Sequence, residues 1–327
     1  HDRMTFAIKM DRTGGPEVLH FVPTEVPAPG FGQVKVRHSA IGVNFIDTYQ
    51  RSGLYLLPLP SGLGQEAAGV VEEVGAGVEY LSPGDRVAYA GGPLGAYSQA
   101  RVIDAAHLVK LPDGINFETA ACAMLQGMTV EYLIRRTFAV EAGQTVLWHA
   151  AAGGVGQIAL QWLNSLGVHV IATVGSDAKG DIARALGCQH VINYARENVV
   201  ARVSEITGGK GVPVVYDSVG KDTFDISLDC LAPRGTLVSF GNASGAVPPF
   251  APLLLAQKGS LFLTRPKLGD YIATREELET AANALFERIL AGAIKLAPSA
   301  RYPLQEAAQA HRDLEARKTT GSLILLP

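Results

Sequence analysis

The sequence predicts an α/β protein of two parts: a barrel-like antiparallel domain and a doubly wound parallel sheet of six strands. Three observations predict it. Short β-rich segments broken by Gly and Pro fill the first third of the chain. From Thr145 onward strand and helix alternate at the spacing of a doubly wound sheet. Between the first strand and the first helix of that alternation lies the turn Ala151-Ala152-Gly153-Gly154-Val155-Gly156. A length of 327 residues fits two domains.

In the first part, Met4–Met10, Val18–Val26, Gln33–Ala40, Ala67–Val74, Arg86–Ala90 and Ala96–Ile103 read as strands. In the second, Thr145–His149, His169–Val174, His190–Ile192, Pro213–Asp217, Thr236–Phe240 and Ser260–Thr264 are the six strand candidates. The stretches Val155–Leu166, Ala178–Leu186, Glu197–Thr207 and Thr223–Leu231 are the intervening helices. Beyond Pro266 come two longer helices, Arg275–Ala291 and Leu304–Ala316, and a last strand, Ser322–Leu326. This tail is expected to return to the first domain, which would then consist of residues 1–124 and 267–327 around a second domain of 125–266.

Composition excludes several classes of function. The net charge is −3 with acids and bases interspersed, so there is no broad cationic field for nucleic acid or an anionic membrane surface. No apolar run reaches the roughly 18–20 residues of a membrane span. His1-Asp2-Arg3 before Met4 reads as an expression remnant. Cys122, Cys188 and Cys230 are odd in number and lack a CxxC pair, which points away from disulfides or structural zinc and toward a reducing cytoplasm.

The glycine turn has a physical rationale. Glycines there let the backbone approach a pyrophosphate, and the helix N-terminus stabilises its charge. An NAD site commonly ends its second strand on an acid that takes the ribose hydroxyls. Here His169–Val174 runs into Gly175-Ser176, Asp177 is read as the cap of the next helix, and Lys179 follows. The missing acid and the nearby base favour NADPH. Among the histidines, His149 at the end of the first parallel strand reads as a satisfied buried side chain. The others, His311 included, show no metal or triad spacing.

Several longer stretches carry a family resemblance. They are Asn44-Phe45-Ile46-Asp47-Thr48-Tyr49, Arg51-Ser52-Gly53-Leu54-Tyr55, Gly64-Gln65-Glu66-Ala67-Ala68-Gly69, the glycine turn, Tyr216-Asp217-Ser218-Val219-Gly220 and Ser239-Phe240-Gly241-Asn242. Together they resemble the zeta-crystallin-like quinone oxidoreductases of the medium-chain dehydrogenase/reductase superfamily. The resemblance implies a GroES-like catalytic β-barrel domain made from both chain ends, with a Rossmann domain inserted. It implies cofactor contacts at Asn44, Asp47, Gly153, Gly154, Val155, Gly175, Ser176, Lys179, Tyr194, Ser218, Phe240, Asn242 and Arg317. It also implies Tyr49, Tyr55 and Thr129 near the nicotinamide or the quinone, and a homodimer. Zinc enzymes of the superfamily carry Gly-His-Glu where this chain has Gly64-Gln65-Glu66, and they supply a cysteine near the position of Asn44. Both ligands are missing, so no metal is expected.

Without a Lewis acid, the expected chemistry is reduction of an electron-poor acceptor, a quinone, by hydride or electron transfer from NADPH. The proton comes from solvent or from Tyr49 or Tyr55, ahead of Thr129; equally, both tyrosines form only an aromatic wall. Asp47 either orients a neighbour or caps the short helix after Asn44. Reduction of α,β-unsaturated carbonyls is the alternative enzymatic reading. A non-catalytic NADPH-binding protein, crystallin-like or RNA-binding, is the alternative outside enzymology.

Overall fold

The computed structural model describes residues 4–327, so His1-Asp2-Arg3, on which the reading of an expression remnant falls, lies outside the described residues. The chain forms two compact units. One holds the chain up to Met128 together with Tyr271–Leu290 and Leu296–Pro327, the other Thr129–Asp270 and Ala291–Lys295.

The first unit opens with β1 (Thr5–Met10) and β2 (His20–Thr24), then the long strand β3 (Gln33–Val43). Side chains alternate along β3, with Val34, Val36, His38 and Ala40 buried, until Ile41–Val43, where every residue is covered. Helix α1 (Phe45–Ser52) follows at once. Asn44 is extended as its N-cap, and the Asp47 carboxylate three residues on accepts the Asn44 N–H at 2.9 Å, the reciprocal half of a capping box. Gly53 ends the helix in the left-handed region at φ 92°. Strands β4 (Ser61–Gly62), β5 (Glu66–Val74), β6 (Arg86–Ala90), β7 (Ala100–Asp104) and β8 (Val109–Lys110) come next. Helix α2 (Phe117–Tyr132) then carries the chain into the second unit.

There the alternation begins with β9 (Thr145–Trp148), α3 (Gly154–Ser165), β10 (His169–Val174), α4 (Asp177–Ala185) and β11 (His190–Asn193). It continues with α5 (Val199–Ile206), β12 (Val212–Asp217), α6 (Phe224–Cys230), β13 (Leu231–Ser239), α7 (Leu253–Gln257) and β14 (Phe262–Thr264). The six strands pair in parallel in the order β11-β10-β9-β12-β13-β14. The central strands read as continuous apolar runs because both faces are covered: Val146, Leu147, Ile171, Val214 and Val215 are all buried. From β9 the chain winds outward through β10 to β11, then crosses back to β12 and winds the other way. The reversal between β9 and β12 is where such a sheet opens a crevice beyond its carboxyl ends.

After α8 (Leu268–Tyr271) the first unit resumes with α9 (Arg275–Leu290), β15 (Ala300–Pro303), α10 (Ala307–Glu315) and β16 (Leu323–Leu326). The tail does return to the first strands. β16 pairs antiparallel with β3 from Leu323 opposite Val43 to Leu325 opposite Ile41, and β15 pairs with β16. The resulting sheet runs β15-β16-β3-β5-β6-β8, with β7 also on β3, beside a smaller sheet β2-β1-β4. One core holds Met10, Val36, Ile41 and Tyr97 together with Leu304, Leu314 and Leu325 from the tail.

The structure departs from the sequence reading at several places, including the following four. The Val18–Val26 strand is shorter, because Pro16–Val18 forms a single 3-10 turn before β2 starts at His20. The Ala96–Ile103 strand begins only at Ala100, apart from an isolated bridge between Ala7 and Ser98. Leu304–Ala316 splits into a 3-10 turn, Leu304–Glu306, and α10. Helix α2 was not anticipated at all: it is buried along most of its length, so it carries no polar stripe to reveal a helical period.

Candidate active site

In the second unit, the predicted cofactor residues gather at the carboxyl ends of five consecutive strands. Gly153, Gly154 and Val155 follow β9, with Gly153 as the extended N-cap of the twelve-residue helix α3. Gly175, Ser176 and Lys179 follow β10, Tyr194 follows β11, Ser218 follows β12, and Phe240 and Asn242 follow β13. The parallel register sets this placement, and loop hydrogen bonds fix its details: Tyr194 N–H donates to Val174 O at 3.0 Å and Phe240 N–H to Asp217 O at 2.8 Å. A Cβ at Gly175 would stand 2.6 Å from the Tyr194 hydroxyl, and one at Gly156 would run into the backbone of Ala151. The glycine turn therefore lies hard against the first turn of α3, with backbone N–H groups at the edge where a pyrophosphate would be held.

One assignment at this edge is corrected. The cap of α4 is Ser176, whose hydroxyl accepts the Lys179 N–H at 3.3 Å, and not Asp177. Asp177 is the first helical residue and points outward. Its carboxylate takes Arg196 Nη2 at 2.6 Å and Asn193 Nδ2 at 3.1 Å. The strand end itself carries no acid, as the sequence indicates.

Beneath the edge lies a closed polar network. Asp217 accepts the N–H groups of Val219 and Gly220 and the hydroxyls of Thr223 and Ser227. Ser227 spends its only hydrogen on Asp217, so its oxygen accepts from His149 Nε2 at 2.9 Å, which leaves His149 Nδ1 to accept from the Thr173 hydroxyl at 2.8 Å. Burial pushes the His149 pKa down, with Asp217 opposing. His149 is thus a satisfied buried side chain joining β9, β10 and α6, as its sequence setting predicts.

The first unit contributes Asn44, Asp47 and Tyr49 on α1 and Tyr55 just after it. The Asn44 side chain is held on both sides: its Nδ2 donates to Glu66 Oε1 at 2.9 Å, and its Oδ1 accepts from Gln126 Nε2 at 3.3 Å. Gln126 Oε1 in turn accepts the Ser322 hydroxyl at 2.6 Å. Glu66 Oε2 takes the Leu125 N–H at 2.6 Å, so both of its oxygens are committed, and a Cβ at Gly42 would occupy the place of Oε1. Burial drives the Glu66 pKa up to about 8 against the pull of Asn44 and the backbone N–H groups.

Asp47 exposes no surface and caps Asn44. Burial raises its pKa to about 7, while the Tyr97 hydroxyl and the Asn44 N–H pull it down. The rings of Tyr49 and Tyr55 lie 5.2 Å apart at 57°, with Phe45 6.3 Å from Tyr49, so the three form one aromatic cluster. Thr129 sits on α2 as the first residue of the second unit, and Arg317 follows α10 at φ 56°.

Sequence reasoning missed Glu66, Tyr97, Gln126, His311 and Ser322. Only Glu66 lay inside a recognised motif; the others are far from Asn44 in the chain and have no spacing that links them to it. The three cysteines are buried, with thiols pushed up by burial; Cys230 reaches about 12. Among the described residues no three His, Cys, Asp or Glu side chains come together as a metal site.

Comparison with known proteins places this geometry. The family of the alcohol dehydrogenase GroES-like domain matches residues 30–113, and that of the zinc-binding dehydrogenase matches residues 154–287. A quinone oxidoreductase of Pseudomonas aeruginosa is 55% identical over 325 residues, covering 99% of this chain and all of that protein. A 2-haloacrylate reductase of a Burkholderia species is 46% identical, covering 99% of both chains. The crystal structure of the Escherichia coli quinone oxidoreductase complexed with NADPH superposes with a TM-score of 0.97 at 52% identity, covering 98% of this chain and 100% of that one. The first unit is accordingly a GroES-like domain and the second a Rossmann-type domain.

Proposed function

This chain belongs to the quinone oxidoreductases of the medium-chain dehydrogenase/reductase superfamily, and on that premise we propose that it reduces quinones with NADPH and without a metal. The observation that carries the reading is the gathering of the glycine turn, Ser176, Lys179, Tyr194, Ser218, Phe240 and Asn242 along one carboxyl edge, with no acid at the end of β10. The donor chemistry fits the cofactor. The N-terminus of α3 at Gly153-Gly154-Val155 would hold the pyrophosphate. Gly175, Ser176, Lys179 and Tyr194 would hold the ribose 2′-phosphate, where a lysine charge complements the extra anion. Ser218, Phe240 and Asn242, with Asn44 and Arg317, would hold the remainder. Asp47 serves by fixing Asn44. We assign the chain up to about residue 124 and from about 267 to the catalytic domain and the intervening residues to the NADPH domain.

NADPH when bound supplies a hydride to an electron-poor acceptor. The protein has to orient the reactants and keep water away. Tyr49, Tyr55 and Thr129 are the residues proposed for the acceptor, the two tyrosines offering an aromatic face and hydroxyls for the proton. Several observations support metal-free chemistry. Gln65 and Asn44 replace zinc-ligand types, and both Glu66 oxygens are already engaged by Asn44 and Leu125.

The relative named for 2-haloacrylate keeps one further reading in play, reduction of a C=C bond conjugated to a carboxyl or carbonyl group. NADPH oxidation rates with 1,2-naphthoquinone, 9,10-phenanthrenequinone, a simple enal and 2-chloroacrylate distinguish the two. Quinones are expected to turn over fastest; faster turnover of either conjugated alkene would overturn the assignment. Tight NADPH binding with no turnover on any acceptor would favour a non-catalytic binding protein.

No helix among the described residues is long and apolar enough to cross a membrane. We place the protein in the cytoplasm as a homodimer. β14 ends its sheet with one edge unpaired, and Phe262 on it is 62% exposed, a surface suited to the same strand of a second copy. Sedimentation velocity checks this: a monomer mass at micromolar concentration would refute the dimer.

A further inference from the structure

The first unit holds a buried chain of hydrogen bonds whose direction follows from chemistry alone. Arg51, on the last turn of α1, donates through Nε to Gly14 O at 3.0 Å, through Nη2 to Glu315 Oε2 at 3.0 Å, and through Nη1 to Glu315 Oε1 and to His311 Nδ1, the last at 2.9 Å. A guanidinium offers no acceptor, so His311 Nδ1 is bare and receives. Burial and the charge of Arg51 press the His311 pKa down to about 3, which keeps the ring neutral with its single hydrogen on Nε2. That hydrogen faces the Tyr97 hydroxyl oxygen at 3.0 Å. Tyr97 is left to give its own hydrogen to Asp47 Oδ2 at 2.7 Å, the same oxygen that takes the Asn44 N–H. Tyr97, Asp47 and His311 are all buried.

We propose that Tyr97 and His311 are positioning residues that act through Asp47 to fix the N-cap of α1 and so hold Asn44 in place for the cofactor. This rests on the reading that Asn44 contacts NADPH. Donation runs from Arg51 through His311 and Tyr97 to Asp47 Oδ2, where it meets the Asn44 N–H donating from the other side. It draws its anchor from α10, so the tail of the protein sets the head of α1. Of the charged and titratable groups around this network, Tyr97 from the segment before β7 and Glu66 from β5 act on Asp47 itself, while Arg51 of its own helix and His311 with Glu315 of α10 stand behind Tyr97. Of these, Tyr97 donates directly to the carboxylate and favours its ionised form, the better acceptor for the Asn44 N–H. Asp47 Oδ1 is buried without a hydrogen-bond partner, so the carboxylate depends on the two donors at Oδ2.

The test uses the full chain with two readouts, one of them independent of the cofactor. In the cofactor-free protein, the carboxyl 13C signal of Asp47 is titrated in the parent, Tyr97→Phe, His311→Leu and His311→Gln. Tyr97→Phe is expected to move the midpoint up by about one unit, and His311→Leu to move it the same way by less. His311→Gln should restore it, because the Gln Nε2 can donate to Tyr97 while its oxygen receives from Arg51. NADPH affinity by calorimetry is expected to weaken about three- to tenfold in Tyr97→Phe at pH 7.5, the gap closing at alkaline pH where Asp47 ionises again. An unmoved Asp47 midpoint, or a loss of affinity independent of pH, would overturn the proposal. Asn44→Ala separates it from the reading beneath. Unchanged affinity there refutes the contact of Asn44 with NADPH and this proposal with it. Weakened affinity with an unmoved midpoint in Tyr97→Phe refutes the positioning alone.

Discussion

The glycine turn of the second unit and the head of α1 in the first, both proposed to meet the cofactor, would present groups to it in opposite ways. At the turn the proposed recognising groups are backbone N–H donors at the start of α3, and glycines keep the approach clear; Gly153, Gly154 and Val155 are all partly open to solvent. At α1 the proposed group is a side chain, Asn44, gripped by Glu66 and Gln126 and capped by Asp47. A backbone site is set by a few consecutive residues and tolerates change around it. A side-chain site is set by partners from across the fold, and its carboxyl partners bring their protonation states with them. The first therefore breaks through sterics and the second through charge.

The sharpest test of the backbone site is Gly156→Ala. The added Cβ would meet the backbone of Ala151, which no rotamer change can relieve, so the turn has to open away from α3. NADPH affinity is expected to fall by about a hundredfold or more, with a stability loss of roughly 2–4 kcal/mol. Calorimetric binding and thermal unfolding measure both. Retained affinity in a folded variant would mean that the pyrophosphate does not rest on this turn.

The same contrast explains what could be read from residue order. The turn, the strand alternation and the absent acid after β10 are local, and a run of neighbouring residues displays them. The Asn44–Asp47 pair was also legible, because a capping box needs only a spacing of three. The grip on Asn44 was not. Glu66, Tyr97, Gln126, His311 and Ser322 arrive from β5, the approach to β7, α2, α10 and the approach to β16. Only the antiparallel return of β16 onto β3 and the seating of α10 against α1 bring the last two near. Helix α2, which supplies Gln126, was invisible because a helix buried nearly all round has no amphipathic period. Ser176 took the cap expected of Asp177 because helix ends are fixed by backbone geometry to within a residue, finer than composition resolves.

The side-chain site should reveal itself through pH. Glu66 titrates near 8 in the fold against an ordinary value of 4.5, and burial is the largest cause. A carboxyl raised in this way binds its proton more tightly folded than unfolded. Its contribution to stability is therefore complete below about pH 4.5 and is lost as pH climbs through 8. Glu66→Gln lacks that titration. Relative to the variant, the parent is expected to lose on the order of a few kcal/mol between pH 4.5 and 8.5. Urea unfolding across that range measures the difference. A constant offset at every pH would show that Glu66 keeps its charge throughout, held by Asn44 and Leu125.

At the open edge, charge should matter for selectivity and hardly at all for the fold. Lys179→Ala removes the cation proposed for the 2′-phosphate, and a charge-assisted hydrogen bond of about 1.5–3 kcal/mol corresponds to roughly a ten- to hundredfold loss in Kd. NADPH should bear that loss while NADH is nearly unaffected. Asp177→Asn is the matched control. Asp177 and Arg196 form an exposed pair, 65% and 64% open in their side chains, so losing it should change stability by less than about 1 kcal/mol. Since Asp177 is turned toward Arg196 and Asn193, its loss should shift the NADPH-to-NADH preference by less than about threefold. If Asp177→Asn instead weakened NADH tenfold while sparing NADPH, Asp177 would be acting as the ribose acid despite its place beyond the strand end. The selectivity would then arise from a competition between Asp177 and Lys179, two residues apart on one helical turn, and not from the absence of an acid after β10.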